Sequence, residues 1–395
     1  MDTVTYPDPK VREIAAEFVC IRVDFDKNPE IAKKYGVQPL ADLRLLGLDG
    51  KEAAKLVGFS SAARLTKACR AELDRLAGKP TAGDETISST KAENVSFTEA
   101  AVEAAVHRGI AYLRGAFADG ASAGPIVGLK EQVLFALSSC NLDSKDEEVA
   151  QLRRSVVGEP LSGTYQAAFR ALALSRLDPA ASRQEIEACA KFLVASQLAN
   201  GQWSYGDAAQ AQAQSSLGDN SNSAYALLGL AACRKAGVEV PATTFERAET
   251  WWRSSQRPDG GWGYRTDREA ESYASMTENG IGSLLLCRSL IAHDRNPDPA
   301  LDRAQSWLSA HLSVAENTGS AYQQGRLLYH LYALERVGSL LGVDRIGDHD
   351  WYAEGATSLL RTQNGDGSWD DGADTPFPNT CFALLFLKRS SGSLR

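Results

Sequence analysis

The sequence predicts a mainly α fold, two concentric rings of six helices each, preceded by a small and incomplete α/β domain. Three observations carry this. From residue 97 onward, amphipathic helical segments alternate strictly with segments that are apolar around most of their circumference. A Gln-to-Trp step of six residues recurs three times in the turns between them. Before residue 79, a β-branched run and an Asp-Gly turn signal stand among helical segments.

In the first domain, residues 1–78, "EFVCIRVDFD" (17–26) has the β-branched and aromatic composition of a strand. "NPEIAKKYGV" (28–37) has a helical apolar rhythm, and "DLRLLGLDGKEAAKLVGF" (42–59) reads as two strands about an Asp49-Gly50 hairpin turn. "SAARLTKACRAELDRLAG" (61–78) is an amphipathic helix closed by glycine. The order helix, strand, helix, strand, strand, helix resembles a thioredoxin-like domain that begins after the family's first strand and its Cys-containing turn. Where the family has a cis-proline loop, this chain reads "YGVQPLADL", with Pro39 two residues early and Ala41 in the expected place. Without a nucleophilic thiol pair there is no disulfide exchange. Cys20, placed in a strand, and Cys69, placed in a helix, are both expected to be buried and inert. The domain is read as a structural or docking remnant, not a thiol oxidoreductase; a start codon placed too late is the alternative. Residues 79–96, "KPTAGDETISSTKAENVS", are polar and without periodicity, a linker.

The outer series from 97 to 390 comprises the segments 98–117, 146–157, 183–198, 243–256, 299–312 and 348–363, each charged on one face and apolar on the other. The inner series is apolar on most sides: "GPIVGLKEQVLFALSSC", "GTYQAAFRALALSRL", "NSAYALLGLAACRKAG", "SMTENGIGSLLLCRSL", "GRLLYHLYALERVGSLL" and "NTCFALLFLKRS". Strict alternation over six pairs predicts a closed ring of hairpins. The steps Gln197–Trp203, Gln256–Trp262 and Gln363–Trp369 put each Gln at the end of an outer helix and each Trp in the loop before an inner one. Glycines between them permit a tight turn with positive φ, and the Gln amide can satisfy backbone groups left open at a helix end. The motif is therefore a clip between layers.

These Q-x-x-x-G-x-W clips before apolar helices resemble the QW repeats of the terpenoid cyclase and protein prenyltransferase superfamily, over residues 98–390. Trp203 to Trp262 spans 59 residues and Trp262 to Trp369 spans 107, so a degenerate copy is expected near 311–318. The resemblance implies an α6/α6 toroid with one central cavity. "ALERVGSLLGVDRIGDHDWYAEGATSLLRTQNGDGSW" and "NTCFALLFLKR" look most like bacterial squalene-cyclase-like repeat proteins.

Proton-initiated cyclases of this superfamily carry D-x-D-D-T-A at the start of an inner helix, with the third position as the acid. The corresponding stretch, "GDNSNSAYALLGL", puts Asp219 first, Ser221 at the acid position and Asn222 fourth. Serine cannot protonate an alkene. Shifting the register by two gives Asp219 the acid role but turns the helix by about 200°; otherwise Asp219 or Ser221 is the helix N-cap. Glu278, in "SMTENG" beside Thr277, is the best substitute acid, or a carboxylate at the positive end of a helix. Tyr329, His330, Tyr332, Glu335 and Arg336 form the most polar inner-helix segment. Glu335 and Arg336 point apart and need separate partners, as a core lock. Tyr165, Ser221, Asn222, Tyr225, Thr277, Tyr322, Tyr329 and His330 are the candidates to line the cavity, with Trp351 and Tyr352 as further aromatic candidates. A glycan-processing toroid would need a carboxylate pair whose separation sequence does not reveal.

The prenyltransferase zinc site needs a D-x-C pair and a distant His. No D-x-C occurs, and His330 and His349 have no ligand-spaced neighbours, so no metal and no cofactor is expected. Seven dispersed cysteines without a CxxC read as reduced core thiols. A net charge of −8 without a basic stripe disfavours nucleic acid. No 18-residue apolar run or secretory leader is present, which makes cytoplasmic the default. Converging inner-helix N-termini would favour an anionic group at one mouth of the ring. The function expected is a ligand-binding or scaffold module for an apolar or isoprenoid-like ligand, with or without an anionic head, or for a protein segment. The alternative is an isoprenoid cyclase with a relocated acid, Glu278 or Asp219.

Overall fold

The computed structural model describes residues 9–21, 23, 30, 34, 42–47, 52–57, 62–76, 97–118, 129–206, 218–266, 271–291, 297–319, 326–372 and 375–394. The chain divides into two compact units, one of residues 1–94 with 372–375 and one of 95–371 with 376–395.

In the first unit, α1 (Pro9–Ala15) packs on α2 (Ala62–Leu76), and β1 (Asp42–Leu46) pairs antiparallel with β2 (Glu52–Val57). Pro9 opens α1 where its missing N–H costs nothing, and Val11 and Ile14, one turn apart, are buried with Leu45, Leu65 and Cys69. The hairpin strands form as the sequence predicts; the Asp49-Gly50 turn lies outside the described residues, as do Pro39, Ala41, most of 28–37 and the 79–96 segment. Cys69 is buried, and burial raises its thiol. The strand expected at 17–26 is not found over its described part: residues 16–21 leave α1 as turn and coil. Val19 and Ile21 are about as exposed as side chains become, at 90% and 80%, and Cys20 is exposed rather than buried. Strand propensity expresses itself only against a paired neighbour, and among the described residues β1 and β2 pair only with each other.

The second unit contains the helices α3 (Glu99–Ala118), α4 (Leu129–Ser139), α5 (Glu147–Gly158), α6 (Thr164–Leu177), α7 (Arg183–Ala195) and α8 (Asn220–Lys235). They continue as α9 (Ala242–Ser254), α10 (Ala274–Ile291), α11 (Pro299–His311), α12 (Leu327–Leu341), α13 (Trp351–Thr362) and α14 (Pro376–Leu387), and a 3-10 turn, Ser390–Leu394, follows. The even-numbered helices pack in sequence, α4 on α6, α6 on α8, α8 on α10, α10 on α12 and α12 on α14, and α14 returns to α4. This cycle is the inner ring. The odd-numbered helices pack on its outside. The layer assignment follows the sequence pattern: every residue of α8 from Asn220 to Cys233 is buried, whereas α9 buries only Thr244, Phe245, Ala248, Glu249 and Trp252. Asp146, Asp298 and Asp350 cap the outer helices α5, α11 and α13 by accepting from backbone N–H groups of the first turn.

The three clips share one hydrogen-bond grammar. Gln197 Nε2 donates to the Gly201 and Thr244 carbonyls, Gln256 Nε2 to those of Gly260 and Ala300, and Gln363 Nε2 to those of Gly367 and Ala105. One bond closes the turn and the other ties it to the first turns of a neighbouring outer helix. Each Trp backbone N–H donates to a hydroxyl on the following inner helix, Ser223, Thr277 or Thr380. Gly260 has φ +97°, and a Cβ there would lie 2.8 Å from the Arg303 carbonyl. Gly280 on α10 is needed for a different reason: a Cβ would come within 2.4 Å of the Trp262 ring. In the 311–318 segment, the Thr318 carbonyl accepts from the Ala274 N–H at the start of α10.

Candidate functional site

Side chains from the inner helices meet on the ring axis. Helices α8 and α12 are separated by α10 in the ring, yet Ser221 on α8 touches Tyr329 on α12, and Tyr225 on α8 touches Arg336 on α12. These contacts cross the interior. Tyr165 on α6 adds its hydroxyl, 2.5 Å from Ser221 Oγ. Asn279 on α10 donates through Nδ2 to the Tyr329 hydroxyl at 2.7 Å, and its Oδ1 accepts from Arg336 Nη2 at 2.5 Å. Arg336 Nη1 donates to the Tyr225 hydroxyl at 3.3 Å. The guanidinium carbon lies 4.6 Å from the Tyr332 ring centre and 5.1 Å from that of Tyr225, within cation–π range. Phe382 stacks on Tyr332 at 5.8 Å and meets Tyr329 edge-on.

Part of the chain of bonds has a fixed direction. A guanidinium only donates, so Arg336 orients the Asn279 amide with its NH2 toward Tyr329. Between Tyr329, Ser221 and Tyr165 each hydroxyl can donate or accept. Tyr165 is only half-buried, and its ring stacks on Tyr205, which is 58% exposed. The network therefore ends in a hydroxyl at its accessible end.

The nearby carboxyl groups are engaged elsewhere. Asp219 caps α8, accepting from Asn222 N at 2.7 Å and Asn222 Nδ2 at 2.8 Å. Burial pushes its carboxyl up to about 6, against the bonds from Asn222 and Tyr264. Glu278 Oε2 lies 2.9 Å from His330 Nδ1, and neither residue is exposed. His330 Nε2 faces the Ser313 carbonyl at 2.7 Å, which fixes the proton on Nε2 because a carbonyl only accepts. The contact between Nδ1 and Oε2 then needs one shared proton, as a carboxylic acid on neutral imidazole or a carboxylate on imidazolium. Burial raises the Glu278 carboxyl, opposed by His330 and Arg336. Its Oε1 is buried with no hydrogen-bond partner.

Of the residues expected to line a cavity, Tyr165, Ser221, Tyr225 and Tyr329 do meet on the axis. Thr277 instead accepts from Trp262 N in a clip, and Asn222 serves the Asp219 cap. His330 turns to Glu278 and the loop residue Ser313. Trp351 and Tyr352 belong to the outer helix α13, where the Trp351 ring fills the space over Gly338 and Tyr352 donates to the Leu387 carbonyl. Tyr322 lies outside the described residues. Glu335 and Arg336 do part company: Glu335 accepts from Ser339 Oγ, Ser391 N and Ser391 Oγ, latching the C-terminal turn. Asn279 was not singled out from sequence, although a second polar residue beside Glu278 in an otherwise apolar helix was a usable signal. Among the described residues no three His, Cys, Asp or Glu side chains group as metal ligands would, and no helix is long and apolar enough to cross a membrane.

Neither a protein-family model nor a curated protein matches the chain. Solved structures do. A variant of the type II terpene cyclase MstE from Scytonema, in complex with its substrate geranylgeranyl dihydroxybenzoate, superposes with a TM-score of 0.51 at 12% identity, covering 74% of this chain and 98% of that one. A variant of the same enzyme in complex with the product merosterolic acid A gives 0.50 at 11% identity over 74% and 97%. An unliganded variant gives 0.51 at 11% over 75% and 98%. At this identity the likeness is one of fold. The closed double ring built on the tryptophan clips is a terpenoid-cyclase-like toroid.

Proposed function

We propose that the toroid is a ligand-binding module for an apolar, isoprenoid-like molecule and not a proton-initiated cyclase. The observation that supports this most is the position of Ser221, which sits between the Tyr165 and Tyr329 hydroxyls in a network of hydroxyls, one amide and one guanidinium. Asp219, the carboxyl nearest to it in sequence, has both oxygens committed to the α8 cap. A permanent positive charge on Arg336 beside Tyr225 also opposes a carbocation on the axis, because like charges in a low-dielectric interior repel strongly. The similar terpene cyclase holds a geranylgeranyl chain on an aromatic acid, which supports the same ligand class here. Residues 1–78, read as a structural or docking remnant, have no assigned part in this.

The test is incubation of the purified chain with squalene and with C15–C20 prenyl diphosphates, followed by mass analysis and by measured binding. Uncyclised recovery with saturable binding is the expected result. One observation favours the second reading, an isoprenoid cyclase with Glu278 as acid: its carboxyl is buried and raised, and Oε1 has no partner. A cyclised product lost in Glu278→Gln would replace the first reading with that one.

A further inference from the structure

Arg336 is the anomaly of this interior. Its side chain is on the axis at 3% exposure, yet among the described residues its polar and ring contacts are the Asn279 amide oxygen, the Tyr225 hydroxyl and two ring faces. The other buried arginine among the described residues, Arg170, holds Glu131 at 2.7 Å. Arg253, on the outer helix α9, holds both Glu249 and Asp298 at 2.8 Å. The carboxyls that could have served Arg336 are turned away: Glu335 to Ser339 and Ser391, Glu278 to His330, Asp219 to its cap. Glu278 and Glu335 act on it only through the field, and no described carboxylate hydrogen-bonds to it; aromatic faces offset only part of the cost of burying such a charge.

Building on the ligand-binding reading, we propose that Arg336 is the recognition group for one carboxylate, so that the ligand of the ring is an isoprenoid-like carboxylic acid. The two hydrogen bonds it makes use two of its five N–H donors, leaving three that can donate to a carboxylate. One guanidinium balances one negative charge. A diphosphate brings more charge than this site neutralises, and a neutral alcohol leaves the cation uncompensated. The Tyr225, Tyr332, Tyr329 and Phe382 rings around it supply the apolar wall for the chain beside the head group.

The experiment is calorimetric titration of the full chain with geranylgeranoic acid, geranylgeraniol and geranylgeranyl diphosphate at pH 7.5, for the wild type, Arg336→Gln and Asn279→Asp. The acid is expected to bind at least about tenfold tighter than the alcohol in the wild type, as a charge-assisted hydrogen-bond pair would give. Arg336→Gln removes that preference by deleting the cation. Asn279→Asp removes it by giving Arg336 an internal carboxylate, so the test survives if the first variant does not fold. Equal binding of acid and alcohol by the wild type, tighter binding of the diphosphate than of the acid, or a preference that persists in either folded variant overturns the proposal while leaving the binding module standing. Absence of binding by all three probes overturns both.

Discussion

The indole N–H of Trp262 donates to the carbonyl of Trp252, ten residues earlier on the preceding outer helix, at 3.0 Å. The same offset joins Trp203 to Leu193 and Trp369 to Leu359, at 2.7 and 2.8 Å. Each tryptophan is fully buried, so the bond is made where water cannot replace it. Trp262→Phe keeps an aromatic ring in the site and deletes the donor together with the rest of the pyrrole edge. It is expected to lower unfolding free energy by about 1–3 kcal/mol, the cost of a buried carbonyl left unpaired, and Trp262→Ala by about 3–5 kcal/mol. Urea unfolding of the two variants measures both; a Trp262→Phe variant as stable as the wild type would show that the indole N–H contributes nothing.

Gln256 bonds the Gly260 carbonyl within its turn and the Ala300 carbonyl on α11. Gln256→Glu keeps the shape but replaces the NH2 donor with an acceptor facing two carbonyls. It is expected to destabilise more than Gln256→Ala, and the excess should shrink at pH 4, where a carboxylic acid can donate one bond again. Thermal unfolding at pH 4 and pH 7 checks the sign.

Gly260→Ala tests the turn by itself. With φ +97° and the Arg303 carbonyl 2.8 Å from the new Cβ, it is expected to cost about 1–3 kcal/mol in backbone strain alone. Gly115→Ala on α3, where a Cβ meets nothing within 4 Å, is the control and should be neutral or slightly stabilising by helix propensity.

Burial raises the Glu335 carboxyl to about 7 from an ordinary 4.5, against the bonds from Ser391 and Ser339. A raised folded pKa means that the folded chain holds this proton more tightly than the unfolded one. The stability it contributes is therefore complete below about 4.5 and lost as pH rises through about 7. Glu335→Gln cannot ionise. Relative to the wild type it should gain stability across that window, by roughly 3 kcal/mol in total, and no further above pH 8. Unfolding at half-unit pH steps from 4 to 8 reads the difference, and a flat difference would contradict the assignment.

Glu278 and His330 share one proton by the geometry of Ser313. Glu278→Ala and His330→Ala are each expected to cost about 3–5 kcal/mol as the partner is left buried and unpaired. The double variant should cost less than the sum, with a coupling of 1 kcal/mol or more on the order expected for contacting residues.

The sequence by itself determined the ring. Period-3.6 apolar faces distinguish α9 from α8 because a helix apolar on all sides can only be inside, and Q-x-x-x-G-x-W is legible because the turn needs a glycine at positive φ and a Trp at fixed distance. Those are local constraints, carried within a dozen residues. The strand expected at 17–26 is missing from its described part for the opposite reason: strand formation depends on a partner, and no local signal supplies one. The site also required the tertiary structure. Ser221 and Tyr329 are 108 residues apart and Tyr225 and Arg336 are 111, so only closure of the ring brings them together. Thr277 and His330, read as cavity residues from their inner helices, face a clip and a loop instead, because a rotation of 100° per residue sends neighbours to different surroundings. That rotation puts Asn279, one residue past Glu278, on the axis against Arg336, and leaves Glu278 itself beside His330.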